Sequence, residues 1–348
     1  MSISRPAILL LSLALTIHAF PSIVAASDLD SMSAEEIRSL QERLTDAGCY
    51  SGAIDGSASV AVVAALKSCP VMEPVLTIET KMHTSAIRNI DVDQACRLIA
   101  TGSQDKTVRL WSLPEGQLIK TLRPPIGPGE YGFISATAIS PDGRIVAAGG
   151  LDPRSTSQRT HSVYLFDAAT GALKARVGAF GAMIRHLRFS PDGRYLAVML
   201  ARSEGLRILD VKALKEIATD RAYGADSYSG VFAPDGSLYT TSYDGYIRAY
   251  NPHFELVQKT EAIGGKRPYG VAVDPSGQRL AVGFQDTPKV DVYRVSDLSL
   301  LFAADTSGLN TGNFVSVAWS SDGKQLVAAG EYWQNGKVPI VMWNDGFW

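Results

Sequence analysis

Histidines, cysteines and paired carboxylates are the side chains here that could do acid–base, nucleophilic or metal chemistry, so their spacing comes first. The chain has five histidines. His18 falls in an apolar leader, and His83, His161, His186 and His253 are spread too widely for any two to share a zinc-ligand spacing. His186 sits in an apolar run and reads as a core histidine with its hydrogen bonds satisfied. No G-x-S-x-G nucleophile turn and no glycine-rich phosphate loop occur. Carboxylates are plentiful, but most lie in Asp-Gly turns, where a turn role suffices, and no EF-hand series is present. The reading is that the chain has no catalytic residue, metal or cofactor and is not an enzyme.

The three cysteines are Cys49, Cys69 and Cys96. The leader sets their redox setting: Arg5, an apolar run from Ala7 to Ile17, Pro21, then Val24-Ala25-Ala26 have the layout of a secretory signal peptide. The run is eleven residues, and spanning a bilayer takes about 20. Residues 1–26 are therefore expected to be removed, leaving an exported, periplasmic or envelope-associated bacterial protein with no stable membrane span. In that oxidising setting Cys49 and Cys69 flank a small module and are the natural disulfide pair. Closing a loop of that length contributes about 3 kcal/mol. Cys96 is left over in a turn. With 33 Lys and Arg against 35 Asp and Glu, net charge −2, no electrostatic footprint for nucleic acid exists.

The module itself, residues 28–70, reads as two helices around a glycine-rich loop. Ser33 and Glu36 have capping-box spacing, and Ile37, Leu40 and Leu44 fall on one helical face, with Gly48 as the C′ residue. A second helix is expected from Ser59 to Ser68. Ile37-Arg38-Ser39-Leu40-Gln41, Leu44, Gly48, Tyr50, Gly52 and Asp55-Gly56 resemble the "LQ…L…GY…G…DG" pattern of the peptidoglycan-binding domain. That resemblance implies a wall tether with Tyr50 and Asp55 as binding candidates. Ser59, Val62 and Cys69 depart from the family's usual Gly, Thr and aromatic. A cap or spacer is the alternative role.

From residue 75 to 348 the chain repeats. The turns Ser140-Pro141-Asp142-Gly143, Ser190-Pro191-Asp192-Gly193, Ala233-Pro234-Asp235-Gly236, Asp274-Pro275-Ser276-Gly277 and Ser320-Ser321-Asp322-Gly323 recur between short β-branched runs. Cys96 takes the glycine place in an earlier, degenerate copy. A period near 45 residues predicts four-stranded propeller blades. Thirty-one glycines and many Val, Ile, Tyr and Phe suit such a turn-rich β protein.

One repeat carries more. His83, Ile99-Ala100-Thr101-Gly102-Ser103-Gln104-Asp105 and Thr107-Val108-Arg109-Leu110-Trp111 resemble the WD40 signature. The resemblance implies a structural hydrogen-bonded relay of His83, Thr101, Asp105 and Trp111, and a fold that is mainly β: a WD40-like β-propeller preceded by the small α-helical domain. Six closed blades are expected, with Val75–Thr80 as the outer strand of the last; seven is the alternative. Loops at 123–129 and 301–308 resemble the propeller part of bacterial proteins that also carry a caspase-like peptidase, but no His/Cys dyad for one is present here.

The function expected is a scaffold that binds another protein through the propeller face or loops. Pro153–Ser162, Tyr223–Tyr228, Tyr243–Tyr246 and Tyr332-Trp333 place polar and aromatic residues in such loops. The competing class is a propeller enzyme of lactonase or lyase type with its site in the central channel. The residues read as innermost-strand starts (Ile90, Ala138, Leu187, Val231, Val271 and Val317) are apolar, which counts against it.

Overall fold

The Ser-Pro-Asp-Gly turns set the architecture. In the second repeat the Asp142 carboxylate accepts from Ser140 Oγ (2.6 Å) and Arg144 N (3.0 Å), Ser140 Oγ accepts from Ile145 N (2.9 Å), and Gly143 takes φ +74°. The same bonds close the turns at Asp192 and Asp322. In the first repeat Asp93 accepts from the Arg97 and Leu98 amides, and Cys96 takes φ +52° where the others place glycine. A left-handed non-glycine residue is uncommon, and the surrounding bonds impose it here.

The computed structural model describes residues 29–46, 49–68, 80–127, 129–151, 160–307, 309, 312–331 and 340–344. The expected signal peptide, Gly48, Cys69 and with it the Cys49–Cys69 pairing, most of Val75–Thr80, most of Pro153–Ser162, and Tyr332-Trp333 lie outside these residues. Two units result, one ending at Ile78 and one running from Glu79 to Trp348.

In the first unit, helices Ala34–Asp46 and Val60–Ser68 pack Ile37, Leu40, Leu44, Val62 and Ala65 into a small core. The capping box forms: Ser33 N donates to Glu36 Oε2 (2.8 Å) and Glu36 N to Ser33 Oγ (3.3 Å). These bonds hold the Glu36 carboxyl below its ordinary pKa.

The second unit is a β-propeller of six antiparallel sheets, each meandering outward in sequence order. Blades 1 to 5 have four strands; blade 6 has three among the described residues. The innermost strands, Ile87–Val92, Ile134–Ile139, Ile184–Phe189, Ser227–Phe232, Pro268–Val273 and Ser316–Trp319, pack each against the next around the channel. Between blades lie apolar layers, such as Ala136, Leu165, Ile184, Leu187, Leu196 and Val198 between blades 2 and 3.

Strand register corrects one sequence reading. Ile90 pairs with Thr101, Thr137 with Ala148, Leu187 with Val198 and Gly230 with Thr240. Thr137 and Gly230 therefore hold the place assigned to Ala138 and Val231. A one-residue slip exchanges the two faces of a strand. Ile90, Leu187, Val271 and Val317 lie on the strand face turned toward the preceding blade, Ala138 and Val231 on the opposite one, and in blades 1 and 3 that opposite face carries Asp91 and Arg188.

The same positions expose a seam. Leu187 is 1% exposed in its interblade layer, whereas Ile90 is 62% exposed, and Ile87 and Val92 beside it are open too. On the far side Met342 is exposed. The packing that joins each blade to the next does not recur between the innermost strands of blades 6 and 1 among the described residues.

Candidate interaction site at the channel mouth

Blade 1 brings the four relay residues together. His83 Nδ1 lies 2.8 Å from Asp105 Oδ2, His83 Nε2 lies 2.7 Å from Thr101 Oγ1, and Trp111 Nε1 donates to that same Oγ1 at 2.8 Å. Burial alone would raise the Asp105 pKa; hydrogen bonds from Thr107, His83 and the Thr84 amide outweigh it and hold the carboxylate low. The ring thus links the blade's loop and two strands. These bonds engage all four side chains with one another, which keeps the buried Trp111 N–H and Asp105 carboxylate partnered.

The register of that relay reveals a second one. Thr101, Asp105, Arg109 and Trp111 recur in blade 4 as Thr240, Asp244, Arg248 and Tyr250, with Tyr223 in place of His83. Tyr223 Oη lies 2.8 Å from both Thr240 Oγ1 and Tyr250 Oη, and Tyr250 donates to Asp220 Oδ2 at 2.7 Å. The Asp244 carboxylate takes Arg248 Nη2 at 2.5 Å and Nη1 at 3.1 Å, and the guanidinium lies 3.9 Å from the Tyr223 ring centroid. Burial pushes the Tyr223 phenol up to about 12. Tyr223, expected as a loop aromatic for partners, is therefore core. The fixed spacing of Thr, Asp, Arg and aromatic was the signal that could have found it.

In the helical unit Tyr50 is buried and donates to Ala53 O at 2.9 Å. Asp55 Oδ1 accepts from Gln41 Nε2 (2.9 Å), Ser57 N (2.8 Å) and Ser57 Oγ (2.7 Å), which holds its pKa down at about 2. Gln41 Oε1 closes the loop through Gly56 N at 2.8 Å. Both wall-binding candidates are thus engaged in shaping the Asp-Gly loop, with Asp55 still at the surface.

Inside the channel, Asp91 of blade 1 reaches Arg188 of blade 3 at 2.6 Å and also accepts from Ile139 N of blade 2 at 3.0 Å. One carboxylate thereby ties three blades. Burial raises its pKa and the Arg188 charge opposes that rise. His186, expected to be satisfied, is not: its Nδ1 is buried without a hydrogen-bond partner among the described residues. Burial, and then Arg188, push its pKa down to about 3. In the unfolded chain it titrates near 6.5, so between these values the unfolded state binds the extra proton. The neutral ring's contribution is complete above about pH 6.5 and is lost as pH falls toward 3, at up to ~1.4 kcal/mol per pH unit. Urea midpoints from pH 7 to 4 should fall less steeply in His186→Leu than in the parent; parallel curves would refute this origin. His161 is buried beside a cavity between blades 2 and 3, and His253 is exposed in a turn. Among the described residues no three His, Cys, Asp or Glu side chains converge as metal ligands.

At the channel mouth, blades 4 and 5 gather Tyr228, Tyr243 and Tyr269. Ring centroids are 4.1 Å apart for Tyr228–Tyr243 and 4.5 Å for Tyr228–Tyr269. Arg185 lies 5.0 Å from the Tyr228 centroid and Arg267 lies 5.5 Å from that of Tyr243. All three rings are half-buried, and burial raises all three phenol pKa values, so the hydroxyls stay protonated. Tyr269 has no place in the loop aromatics read from sequence, because it lies at the start of an innermost strand and only the packing of blade 5 against blade 4 brings it to the others.

With this geometry in hand, likeness to known proteins agrees with it. The family model "WD domain, G-beta repeat" matches residues 73–112, the stretch that holds the His83 relay. Rice "Small ribosomal subunit protein RACK1y" is 30% identical over 160 residues, 44% of this chain and 43% of that protein. Arabidopsis thaliana "THO complex subunit 3" is 25% identical over 232 residues, 64% of this chain and 67% of that one. Rice "Pre-mRNA-processing factor 19" is 24% identical over 251 residues, 71% and 37% respectively. The matched stretches thus span less than half the length of the rice relatives. Two of these plant proteins are named as parts of larger assemblies. The chain is a mainly β, six-bladed propeller whose first blade is a WD-type repeat.

Proposed function

We propose that the chain is an exported, non-enzymatic scaffold whose propeller recruits another protein through the channel mouth, while residues 28–70 hold it near peptidoglycan. The observation that carries this is the Tyr228–Tyr243–Tyr269 cluster under Arg185 and Arg267. Half-buried aromatics flanked by guanidinium groups are the composition of interface hot spots, because they add contact area at low side-chain entropy cost. The membership of two relatives in named assemblies supports the same class of role. For the tether, support comes from the leader's layout and from the loop that Gln41, Asp55 and Gly56 close.

The test is a photo-crosslinking amino acid placed at Tyr131 and Arg267 near the mouth and at Arg144 in an Asp-Gly turn at the opposite end. Discrete protein adducts are expected from the first two positions and none from the third. Adducts from none, or equally from all three, would remove the mouth as the docking face. Co-sedimentation with purified peptidoglycan, beside a chain starting at Met72, tests the tether: only the longer chain should pellet.

A further inference from the structure

A cavity of 460 Å³ opens between blades 2 and 3, beside the aromatic cluster and lined by Arg185, Arg202, Asp226, Met183 and Tyr131 among others. Among the described lining residues, two guanidinium groups and one carboxylate leave it with one uncompensated positive charge. Asp226 arranges both arginines. Its Oδ2 takes Arg185 Nε at 2.9 Å and Nη2 at 2.8 Å, and its Oδ1 takes the backbone N–H of Arg202 at 2.5 Å. The Tyr228 ring beside it fixes the Arg185 guanidinium further.

Arg202 is the unusual member. Its φ is +59°, its side chain is exposed, and among the described residues its guanidinium has no ion pair or hydrogen bond. The left-handed conformation costs a non-glycine residue about 1–2 kcal/mol and persists only where the surroundings impose it. Here the carboxylate-to-amide bond from Asp226, itself anchored by Arg185, imposes it and leaves the cation at the cavity rim.

We propose that this cavity receives an acidic side chain from an extended peptide segment of the partner, with Arg202 as its principal contact, Arg185 as a second donor and Asp226 as the positioning residue. The glutamate class fits: the guanidinium edge offers charge-assisted bonds to a carboxylate, and Ala182 and Met183 offer an apolar wall for its methylene stem. A nucleic acid does not fit, because the chain as a whole carries net charge −2 and has no broad basic surface for a phosphate backbone. This rests on the reading of the mouth as the docking face.

The experiment uses the full chain and fluorescence anisotropy of a dye-labelled peptide alternating glutamate and serine, beside its glutamine counterpart. The glutamate peptide should bind and the glutamine peptide should not. Arg202→Gly should weaken binding by about tenfold or more, the loss of one charged hydrogen-bonding group. Because glycine tolerates φ +59°, its thermal midpoint should not fall, which separates lost contact from lost fold. Arg202→Lys should retain binding within a few-fold, and Arg144→Gln, in a turn at the far end, should leave it unchanged. Equal binding by parent and Arg202→Gly, equal loss in Arg144→Gln, or no binding by the parent up to about 1 mM would each overturn the proposal. Mouth-specific crosslinks together with no peptide binding would leave the docking face standing and remove only its acidic ligand.

Discussion

Asp105→Ala should lower unfolding free energy by about 3 kcal/mol or more, the scale of breaking a buried, hydrogen-bonded charge network from one side. The carboxylate accepts from His83 Nδ1 at 2.8 Å, Thr84 N at 3.0 Å, Thr107 N at 3.0 Å and Thr107 Oγ1 at 2.7 Å. Its side chain is 6% exposed and that of His83 4%. Truncation leaves these donors without a partner where water enters poorly, and the unpaired groups cost more than the bonds gain. Asp105→Asn keeps the volume and should cost less. Urea unfolding followed by tryptophan fluorescence, with Trp111 inside the relay, measures both. A loss below about 0.5 kcal/mol for the alanine variant, the range of ordinary surface changes, would show that the relay does not hold the blade.

Leu187→Ala should cost about 2–5 kcal/mol, while Ile90→Ala, at the same register position two blades away, should cost under about 0.5 kcal/mol. The residues are near-equal in volume, and only their surroundings differ. Leu187 is sealed between blades 2 and 3, and removing its side chain opens a cavity that the close-packed layer cannot collapse around. Ile90 looks into the seam and loses little by truncation. Matched equilibrium unfolding of the two variants is the measurement. Equal losses would mean that the blade 1 face is covered in solution. Six blades joined in series, with one junction left uncovered by the described residues, should also release their edge blades first on heating, a pattern that hydrogen exchange resolves strand by strand.

Residue type and spacing reached some of this molecule and not the rest. The Ser33 capping box was legible because its partners lie three residues apart, and the Asp-Gly turns because each closes on itself within six residues. The blade 1 grouping was legible from spacing that matches a known signature. Its blade 4 counterpart was half hidden: Tyr223 and Tyr250 replace the usual imidazole and indole with phenols that make equivalent bonds, so only the register of Thr240, Asp244 and Arg248 marks it. Ala138 and Val231 were placed one residue off because an apolar strand gives little signal for its own register.

What the sequence by itself determined is local: where the turns fall, how often they recur, and hence that the chain folds as successive four-stranded blades around a channel. Tertiary structure decided what meets across those blades. Asp91 and Arg188 are 97 residues apart yet form a 2.6 Å pair, and Tyr228 stacks on a tyrosine from the next blade. Arg185 and Asp226 meet only at the interface of blades 3 and 4. Turn chemistry acts through bonds within a few residues and is written in adjacent letters. The mouth and its cavity arise from closing whole blades side by side, and no local pattern encodes which side chains that closure brings together.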